Sequence, residues 1–477
     1  MIPSAPASGR LPDGFTVRLN SSVRRRDRGR ALVGGSPTRV LFLTDEALAL
    51  LDGDTITVRD PRSRALADRL VDAGMADPIF AELAPLDPAL VTFVVPVFGR
   101  EEMLDRLLHS LGSGASVIVV DDLSPDRPAV AAVAAAHNAT YLPLETNVGP
   151  AGARNAGLRE VSTPFVAFVD SDVVVAPDAL ATLLRHFSDP LVALAAPRVR
   201  GLFQGRDTNW IGRYENARSS LDLGERPGLV RQRSPVSWVP STFIVARVSA
   251  LGDGFSPGMR EGEDVDLVWR LADAGWRVRY EPSATVYHDH RARFGAWLGR
   301  KSFYGSSAHP LSQRHGRDIA PAVLAPWSAG VLLALLAQRR WSLPAALLIS
   351  VFAAVRIAAR LGRSEHPYRV AAGLTAQGVS ASLTQASALL LRHWWPLALV
   401  GSLVSRRVRR AVVAAAVVDS VVEYARTRPQ LDPLRFALAR RLDDLAYGAG
   451  VWWGALKGRS VGALLPEVAG RSKRGGR

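Results

Sequence analysis

The sequence predicts an α/β protein: a mostly parallel sheet with helices on both faces, preceded by a small module and followed by a helical, apolar and basic region. Three observations carry this. From Val91 onward, short apolar runs alternate with helix-period segments, the pattern of strands joined by crossover helices. Several of those runs end abruptly in aspartates, most clearly Phe165-Val166-Ala167-Phe168-Val169 before Asp170-Ser171-Asp172. After Ala292 the pattern changes to long uncharged stretches set among arginines.

Composition narrows the function. A chain of 477 residues holds two or three domains, and 48 % hydrophobic content supports large cores. Cysteine is absent, which excludes disulfides, thiol catalysis and cysteine metal sites and fits a reducing compartment. Met1 to Gly14 carries no apolar signal core, so a cytosolic catalytic domain is expected. The net charge of +15 is unevenly spread. Residues 1–290 hold 31 Arg/Lys against 36 Asp/Glu, whereas residues 291–477 hold 28 against 8. Basic residues beside apolar runs point to an anionic membrane surface; a bare basic tail would point to nucleic acid, which is not expected here.

Residues 14–88 form the first module. Val40-Leu41-Phe42-Leu43 reads as a strand, and Thr44 caps a helix from Asp45 to Leu51. Asp52-Gly53-Asp54 stops that helix, Thr55 to Val58 is a second strand, and Ala65 to Ala73 is a helix ending at Gly74. The outline is that of a small winged helix. It resembles the PqqD-like peptide-recognition modules of ribosomal-peptide modification systems, through the apolar helix, "LDGDTITV" and "LADRLVDAGM".

Residues 91–300 carry the chemistry. Strands are expected at Val91–Val97, Ser116–Val120, Thr140–Leu144 and Phe165–Val169, with helices at Glu101–Leu111, Ala129–His137 and Gly149–Val161. In open α/β sheets ligands bind beyond the carboxyl ends of strands. Asp121, Asp122, Asp170 and Asp172 all fall there. Residues i and i+2 of a strand point the same way, so Asp170 and Asp172 are expected to converge on Mg²⁺ or Mn²⁺ that also carries substrate phosphates. Asp121 and Asp122 can accept from a base N–H or a ribose hydroxyl. The glycine-rich helix start Gly149–Gly157 offers amides to an anion, and Arg154 adds a charge able to reach a diphosphate. It does not match the dinucleotide fingerprint, because its glycine spacing differs and it follows the third strand.

Gly262-Glu263-Asp264 opens a helix with two acids, which the helix dipole favours in any case. Asp264 and Glu263 are the candidate catalytic acids, with Asp264 the candidate general base for an acceptor hydroxyl. Trp238 offers a flat face for a sugar, and Ser241 lies in the stretch expected to line the acceptor site. His288, which ends the strand Ala284–Tyr287, is a candidate for a further metal or phosphate contact.

Residues 301–477 read as a helical, membrane-associated region. Ile319–Gln338 is twenty residues without charge, Trp341–Val355 fifteen, and Val370–Leu391 is uncharged but rich in Ser, Thr and Gln. A spanning helix needs about twenty mostly apolar residues. Paired Trp394-Trp395 and Trp452-Trp453 beside basic residues suit an interfacial belt. The last seven residues read as a basic tail.

In this order "VTFVVPVFGR", "VIVVDDLSPD", "NVGPAGARNAG", "FVAFVDSDV", "GEDVDLVWRL" and "VYHDHR" resemble the inverting family-two glycosyltransferases of the GT-A fold, over about residues 91–300. The resemblance implies donor binding by Pro96, Arg100, Asp121, Asp122, Arg154 and Asp170. It implies a metal at Asp170 and Asp172, with Asp172 the more direct ligand, and Asp264 as base. The whole layout is similar to the glycosyltransferases of the mycofactocin system. That similarity implies a UDP-glucose donor, a peptide-derived redox-cofactor precursor as acceptor, and a β-1,4-linked oligoglucose product. A polyprenyl phosphate or other lipid acceptor is the alternative. The "QxxRW" signature of processive cellulose-synthase-like members is absent after Asp264, so short chains or single additions are expected.

Overall fold

The computed structural model describes residues 1–469 apart from 8, 9, 80, 81, 84, 204–207 and 291; the basic tail read at 471–477 lies outside the described residues. Two units emerge: Met1–Gln204 with Arg218–His290, and Gly205–Ala217 with Arg291–Arg477.

The first unit opens with β1 (Thr16–Leu19), β2 (Arg24–Arg26), β3 (Ala31–Gly34), β4 (Arg39–Phe42), α1 (Asp45–Ala49), β5 (Thr55–Thr57), α2 (Pro61–Asp72) and β6 (Ala76–Pro78). The strands make two antiparallel sheets, β5-β1-β6 and β2-β3-β4. Local chemistry sets the helix starts. The Thr44 hydroxyl accepts from the Ala47 amide at α1. At α2 the Asp60 carboxylate accepts from the Arg62 and Ser63 amides, Ser63 answers back, and Pro61 occupies the first turn. Leu11, Val17, Leu32, Ile56, Leu70 and Met75 close the core between them.

The sheet that follows is built from β7 (Val91–Val97), α3 (Glu101–Leu111), β8 (Ser116–Asp121), α4 (Arg127–Ala136), β9 (Thr140–Pro143), α5 (Gly149–Arg159), β10 (Phe165–Val169), β11 (Val173–Val175), α6 (Ala179–Leu184), β12 (Val192–Gly201), α7 (Trp210–Arg218), β13 (Gly228–Val230), β14 (Phe243–Arg247), α8 (Val248–Leu251), α9 (Glu263–Asp273) and β15 (Arg277–His288). Its order is β11-β15-β12-β14-β10-β7-β8-β9, with β13 on β15. The run β9-β8-β7-β10 is parallel, as the strand–helix alternation requires. Beyond it the sheet is mixed: β14 runs antiparallel to both β10 and β12, and β12 is again parallel to β15. Every residue of β10 is buried, as befits a strand covered on both faces. Helix α5 lies close on β7 and β8 because Gly157 faces them; a Cβ there would stand 2.4 Å from Val94 and 2.9 Å from Val120.

Alternate residues of β15 share a face, and here they join the N-terminal module to the sheet. The Arg277 guanidinium donates to Asp68 at 2.9 Å, Asp72 at 2.9 Å and Asp189 at 2.8 Å. Arg279 donates to Asp77 at 2.7 Å. Both arginines are buried.

In the second unit α7 is joined by α10 (Phe294–Ser306), α11 (Ala308–His315), α12 (Pro326–Leu336), α13 (Ser342–Arg360), α14 (Pro367–Ala388), α15 (Trp395–Val404), α16 (Arg406–Thr427) and α17 (Pro433–Lys457). Facing glycines let α10 and α17 touch backbone to backbone; a Cβ on Gly305 would meet the Tyr447 carbonyl, and one on Gly450 the Ser302 carbonyl. Tyr214, Trp297 and Phe436 pack beside a buried ionic group. There Lys301 Nζ lies 2.9 Å from Glu215 and 3.4 Å from Asp443, Trp297 Nε1 donates to Glu215 at 2.8 Å, and the Tyr214 hydroxyl donates to Asp443 at 3.0 Å. The twenty-residue uncharged run Ile319–Gln338 is not one helix: Pro326 starts α12 at its first turn, leaving eleven helical residues. α14 continues through Leu389–His393 and then turns by 90° into α15.

Breaking the β15 junction is expected to cost stability. Arg277→Ala strands the buried Asp189 and Asp68 carboxylates, a loss of about 3–5 kcal/mol. Calorimetric melting should register it, and an unchanged melting curve would show that the junction contributes nothing net.

Candidate active site

The carboxyl ends of β8, β7 and β10 lie side by side, and the amino end of antiparallel β14 meets them, with Phe243 opposite Val169. The Asp170 amide donates to the Thr242 carbonyl at 3.0 Å, fixing the residues before β14 against the end of β10.

Arg154 is the centre of this edge. It projects from α5, is 2 % exposed, and donates to Asp170 at 2.5 Å and to Glu263 at 3.1 Å. Its guanidinium also lies over the Phe255 ring at 5.3 Å. Sequence reasoning placed Arg154 at the diphosphate. The structure instead encloses it between two carboxylates, since a buried cation needs paired anions more than it can serve a solvent-side ligand.

Glu263 and Asp264 open α9. Gly262 before them has φ +76°, a left-handed turn that suits glycine. The helix is tied down one turn later by Asp266, which accepts from the Ser256 hydroxyl at 2.6 Å and from Arg270 Nε at 2.8 Å. Asp264 accepts from the Val265 amide at 2.8 Å and from the Ser241 amide at 3.4 Å. Its carboxyl is enclosed by protein on most sides while the residue keeps some exposure. Burial, then the neighbouring charge of Glu263, push its pKa up to about 7, against the opposing pull of the two amides and Arg154. A carboxylate poised there can take a proton at neutral pH.

Asp172 has separate company. Its carboxylate lies 3.5 Å from His288 Nε2 and 3.3 Å from the Arg100 guanidinium. Burial disfavours its charge, but the His288 hydrogen bond and the His288 and Arg100 charges outweigh that and hold Asp172 below the usual carboxylate range. The neighbour is set by the sheet: Val173 of β11 pairs with His288 of β15. Arg100, at the start of α3, adopts a left-handed φ of +64° and reaches this acid. The expected triad of Asp170, Asp172 and His288 therefore does not assemble. β10 ends at Val169, so the strand alternation that would have aligned Asp170 with Asp172 no longer operates across the turn. Among the described residues no three His, Asp or Glu side chains gather into a complete metal site. One carboxylate and one imidazole nevertheless fit a divalent cation whose remaining ligands come from a bound diphosphate and water.

Asp121 and Asp122 shape the edge from within. Asp121 is fully buried and accepts from the Ser124 amide at 2.8 Å and the Tyr141 hydroxyl at 2.6 Å. Asp122 accepts from the Val148 and Gly149 amides at 2.7 and 2.8 Å, which fixes the start of α5. Burial raises its pKa, with the amides opposing. Pro96 is a half-buried ladder position of β7 opposite Val120. Ser241 is buried beside Asp264, while Trp238 is half-buried three residues away in the same stretch. Three apolar residues that sequence reasoning did not single out, Phe98, Leu123 and Val148, stand exposed just past β7, past β8 and before α5. The signal available was an apolar residue next to each strand-end turn.

Comparison with known proteins agrees with this layout. The family model for glycosyl transferase family 2 matches residues 92–253. The pre-mycofactocin glycosyltransferase of Mycobacterium tuberculosis (strain ATCC 25618 / H37Rv) is 44 % identical over 480 residues, covering 96 % of this chain and 99 % of that protein. The chain belongs to glycosyl transferase family 2, among the pre-mycofactocin glycosyltransferases. Succinoglycan biosynthesis protein ExoO of Rhizobium meliloti (strain 1021) is 30 % identical over 42 % of this chain and 60 % of that protein. A solved mannosyltransferase from Pyrobaculum calidifontis in complex with GDP-Man and Mn²⁺ is 21 % identical, covering 64 % of this chain and 90 % of that one, with a TM-score of 0.37.

Two outcomes follow for Asp264. A carboxyl whose folded pKa is raised binds its proton more tightly in the native state, so its ionisation removes stability as pH rises from the ordinary carboxylate range through about 7. Asp264→Asn should therefore melt higher than the wild type at pH 8 and close to it at pH 4. Activity should rise with pH to a plateau above about 7. Arg154→Met removes a cation that lowers this pKa, and the rising limb should move up by about one unit while UDP affinity holds. An unmoved limb with weakened UDP binding would instead return Arg154 to the diphosphate.

Proposed function

We propose that this enzyme transfers glucose from UDP-glucose, with inversion, onto the peptide-derived mycofactocin precursor, adding single units or a short β-1,4-linked chain. The observation that carries this reading is the Asp264 carboxyl, pushed up to about 7 and held at the strand-end edge beside Glu263 and Arg154. The 44 % identity along the whole chain to a pre-mycofactocin glycosyltransferase supports the acceptor.

In this reading Asp264 takes the proton of the acceptor hydroxyl as its oxygen attacks the anomeric carbon. The bond from that carbon to the diphosphate oxygen breaks on the opposite face, UDP leaves, and one displacement inverts the configuration. In this reading Glu263 and Arg154, hydrogen-bonded to each other, position the base. Asp172 and His288 would hold Mg²⁺ or Mn²⁺, which when bound neutralises the departing diphosphate. Arg100, already on Asp172, lies where it can turn to a phosphate. Phe98, Leu123 and Val148 offer apolar surface to the donor base, and Trp238 a face for the acceptor sugar. Residues 301–477 keep the enzyme at the cytoplasmic face of the cell membrane. The exposed apolar side chains of that region also favour a second reading, transfer onto a polyprenyl-phosphate or other lipid.

Purified enzyme incubated with a panel of radiolabelled UDP-sugars, with and without the precursor, tests the donor; UDP-glucose should be consumed and others not. Partition of the labelled product between butanol and water separates a peptide-derived from a lipid acceptor. Asp264→Asn should keep UDP-sugar binding and lose transfer by about a hundred- to ten-thousandfold. Asp172→Ala should weaken metal-dependent donor binding in calorimetry, and chelation should do the same to the wild type. Retained turnover in Asp264→Asn would remove the base from its role.

A further inference from the structure

The second unit exposes apolar side chains in helical rows, and basic residues bracket those rows. On α13 the outward row is Leu343, Leu347, Leu348, Val351, Phe352 and Val355, with Leu348 69 % exposed. The opposite side, Ser342, Ala346, Ala353 and Ala358, is buried. Helix α16 has no buried residue, and Val413, Val417, Val418, Val421 and Val422 stand exposed at helical spacing. α15 adds Leu397, Leu399, Val400, Leu403 and Val404. Apolar area of this extent on a water-facing surface marks a partner.

Charge identifies the partner. Arg339 and Arg340 precede α13, Arg356 and Arg360 lie in its last turns, and Arg406, Arg407, Arg409 and Arg410 start α16. Arg406 and Arg410 continue the spacing of Val413 and Val417, so one face of α16 is cationic at its start and apolar beyond. That combination fits anionic headgroups above acyl chains.

Length decides between lying on a bilayer and crossing it. α13 is long and apolar enough to be a candidate span, at mean hydropathy 1.9. Its uncharged run, fifteen residues from Trp341 to Val355, covers only about 22 Å against a hydrocarbon core of about 30 Å. The α14–α15 pair turns by 90° at Trp394, a bend of the kind a re-entrant segment makes. α16 interrupts its valines with Asp419 and Glu423.

We propose that α13, α15 and α16 form a monotopic platform that enters one leaflet of an anionic membrane without crossing it. This rests on reading residues 301–477 as membrane-associated, and specifies the surface, the lipid and the depth.

The chain has no cysteine, so single cysteines can be placed without background. Full-length protein with a spin label at Leu348→Cys, Val400→Cys or Val417→Cys is mixed with vesicles of phosphatidylcholine alone or with phosphatidylglycerol. Flotation with the anionic vesicles, weakened by salt, and all three labels at shallow depth are expected. Arg406, Arg407, Arg409 and Arg410 changed together to Gln should reduce vesicle binding about tenfold or more while solution activity is kept. A label at the bilayer centre, or one reached from inside sealed vesicles, would overturn the monotopic mode and leave membrane association standing. Equal binding to neutral vesicles would overturn the lipid choice. Failure to float with any vesicle would end the membrane reading itself, and a self-associated protein with the same three positions immobilised without lipid would assign the surface to a second copy of the chain.

Discussion

The catalytic edge depends on one buried cation. Arg154 holds the end of β10 through Asp170 and the start of α9 through Glu263, segments about a hundred residues apart in sequence. Neither carboxylate would stay at its place beside the other without a positive charge between them. Burial does most to drive Asp264 from the ordinary carboxylate range, and the same guanidinium is one of the groups that oppose it. Burial and Glu263 push the Asp264 proton on, while Arg154 and two amides pull it off. A base too readily ionised is a weak base, and one too strongly protonated is absent at neutral pH. In the proposed role of Asp264 as base, Arg154 is thus one of the groups that bear on both strength and availability.

Around this pivot the sheet supplies geometry by ordinary means. Parallel strands bring the ends of β8, β7 and β10 to one edge, and small residues on α5 let that helix sit close enough for Arg154 to reach across. Asp121 and Asp122 spend their oxygens on amides and a tyrosine hydroxyl, which stiffens the turns carrying Ser124 and Gly149. Acids at strand ends thus do two kinds of work here. Asp121 and Asp122, enclosed, shape the loops, while Asp170 and Asp172 keep partial exposure just past the end of β10.

Much of this was legible beforehand. The strands β7 and β10 and the helix α3 were read with the boundaries they have, because continuous apolar runs and amphipathic spacing are local signals. The acidic segments were legible because carboxylates that follow buried apolar strands stand out in the sequence, whether they bind a ligand or, as Asp121 and Asp122 do, stiffen the turn. Pairings were not legible. Arg154 was read as a ligand for phosphate because the sequence shows a cation at a helix start but not the carboxylates that surround it. Asp170 and Asp172 were read as partners because the strand was assumed to continue two residues past its end. Strands β1, β2, β3, β6, β11 and β13 escaped notice because three- and four-residue strands carry almost no periodicity, and β12 and β14 escaped because they interrupt the strand–helix alternation on which the reading relied.

The charge of the C-terminal region follows from the same accounting of partners. Asp419 pairs with Arg440 and Arg441, Asp444 with Arg392, Arg440 and Arg441, and Asp443 with Lys301. Three of the region's eight acids are consumed inside the helical packing. An acid enclosed among packed helices has no water to solvate it, so these three are matched by cations there. The arginines at the ends of α13 and the start of α16 have no comparable internal partners among these pairs, and their charge is left for the outside. The strong basic excess of this region begins in its composition, 28 basic against eight acidic residues, and the pairing of three acids inside the helices, with Arg339, Arg340, Arg356, Arg360, Arg406, Arg407, Arg409 and Arg410 exposed, leaves it on the surface.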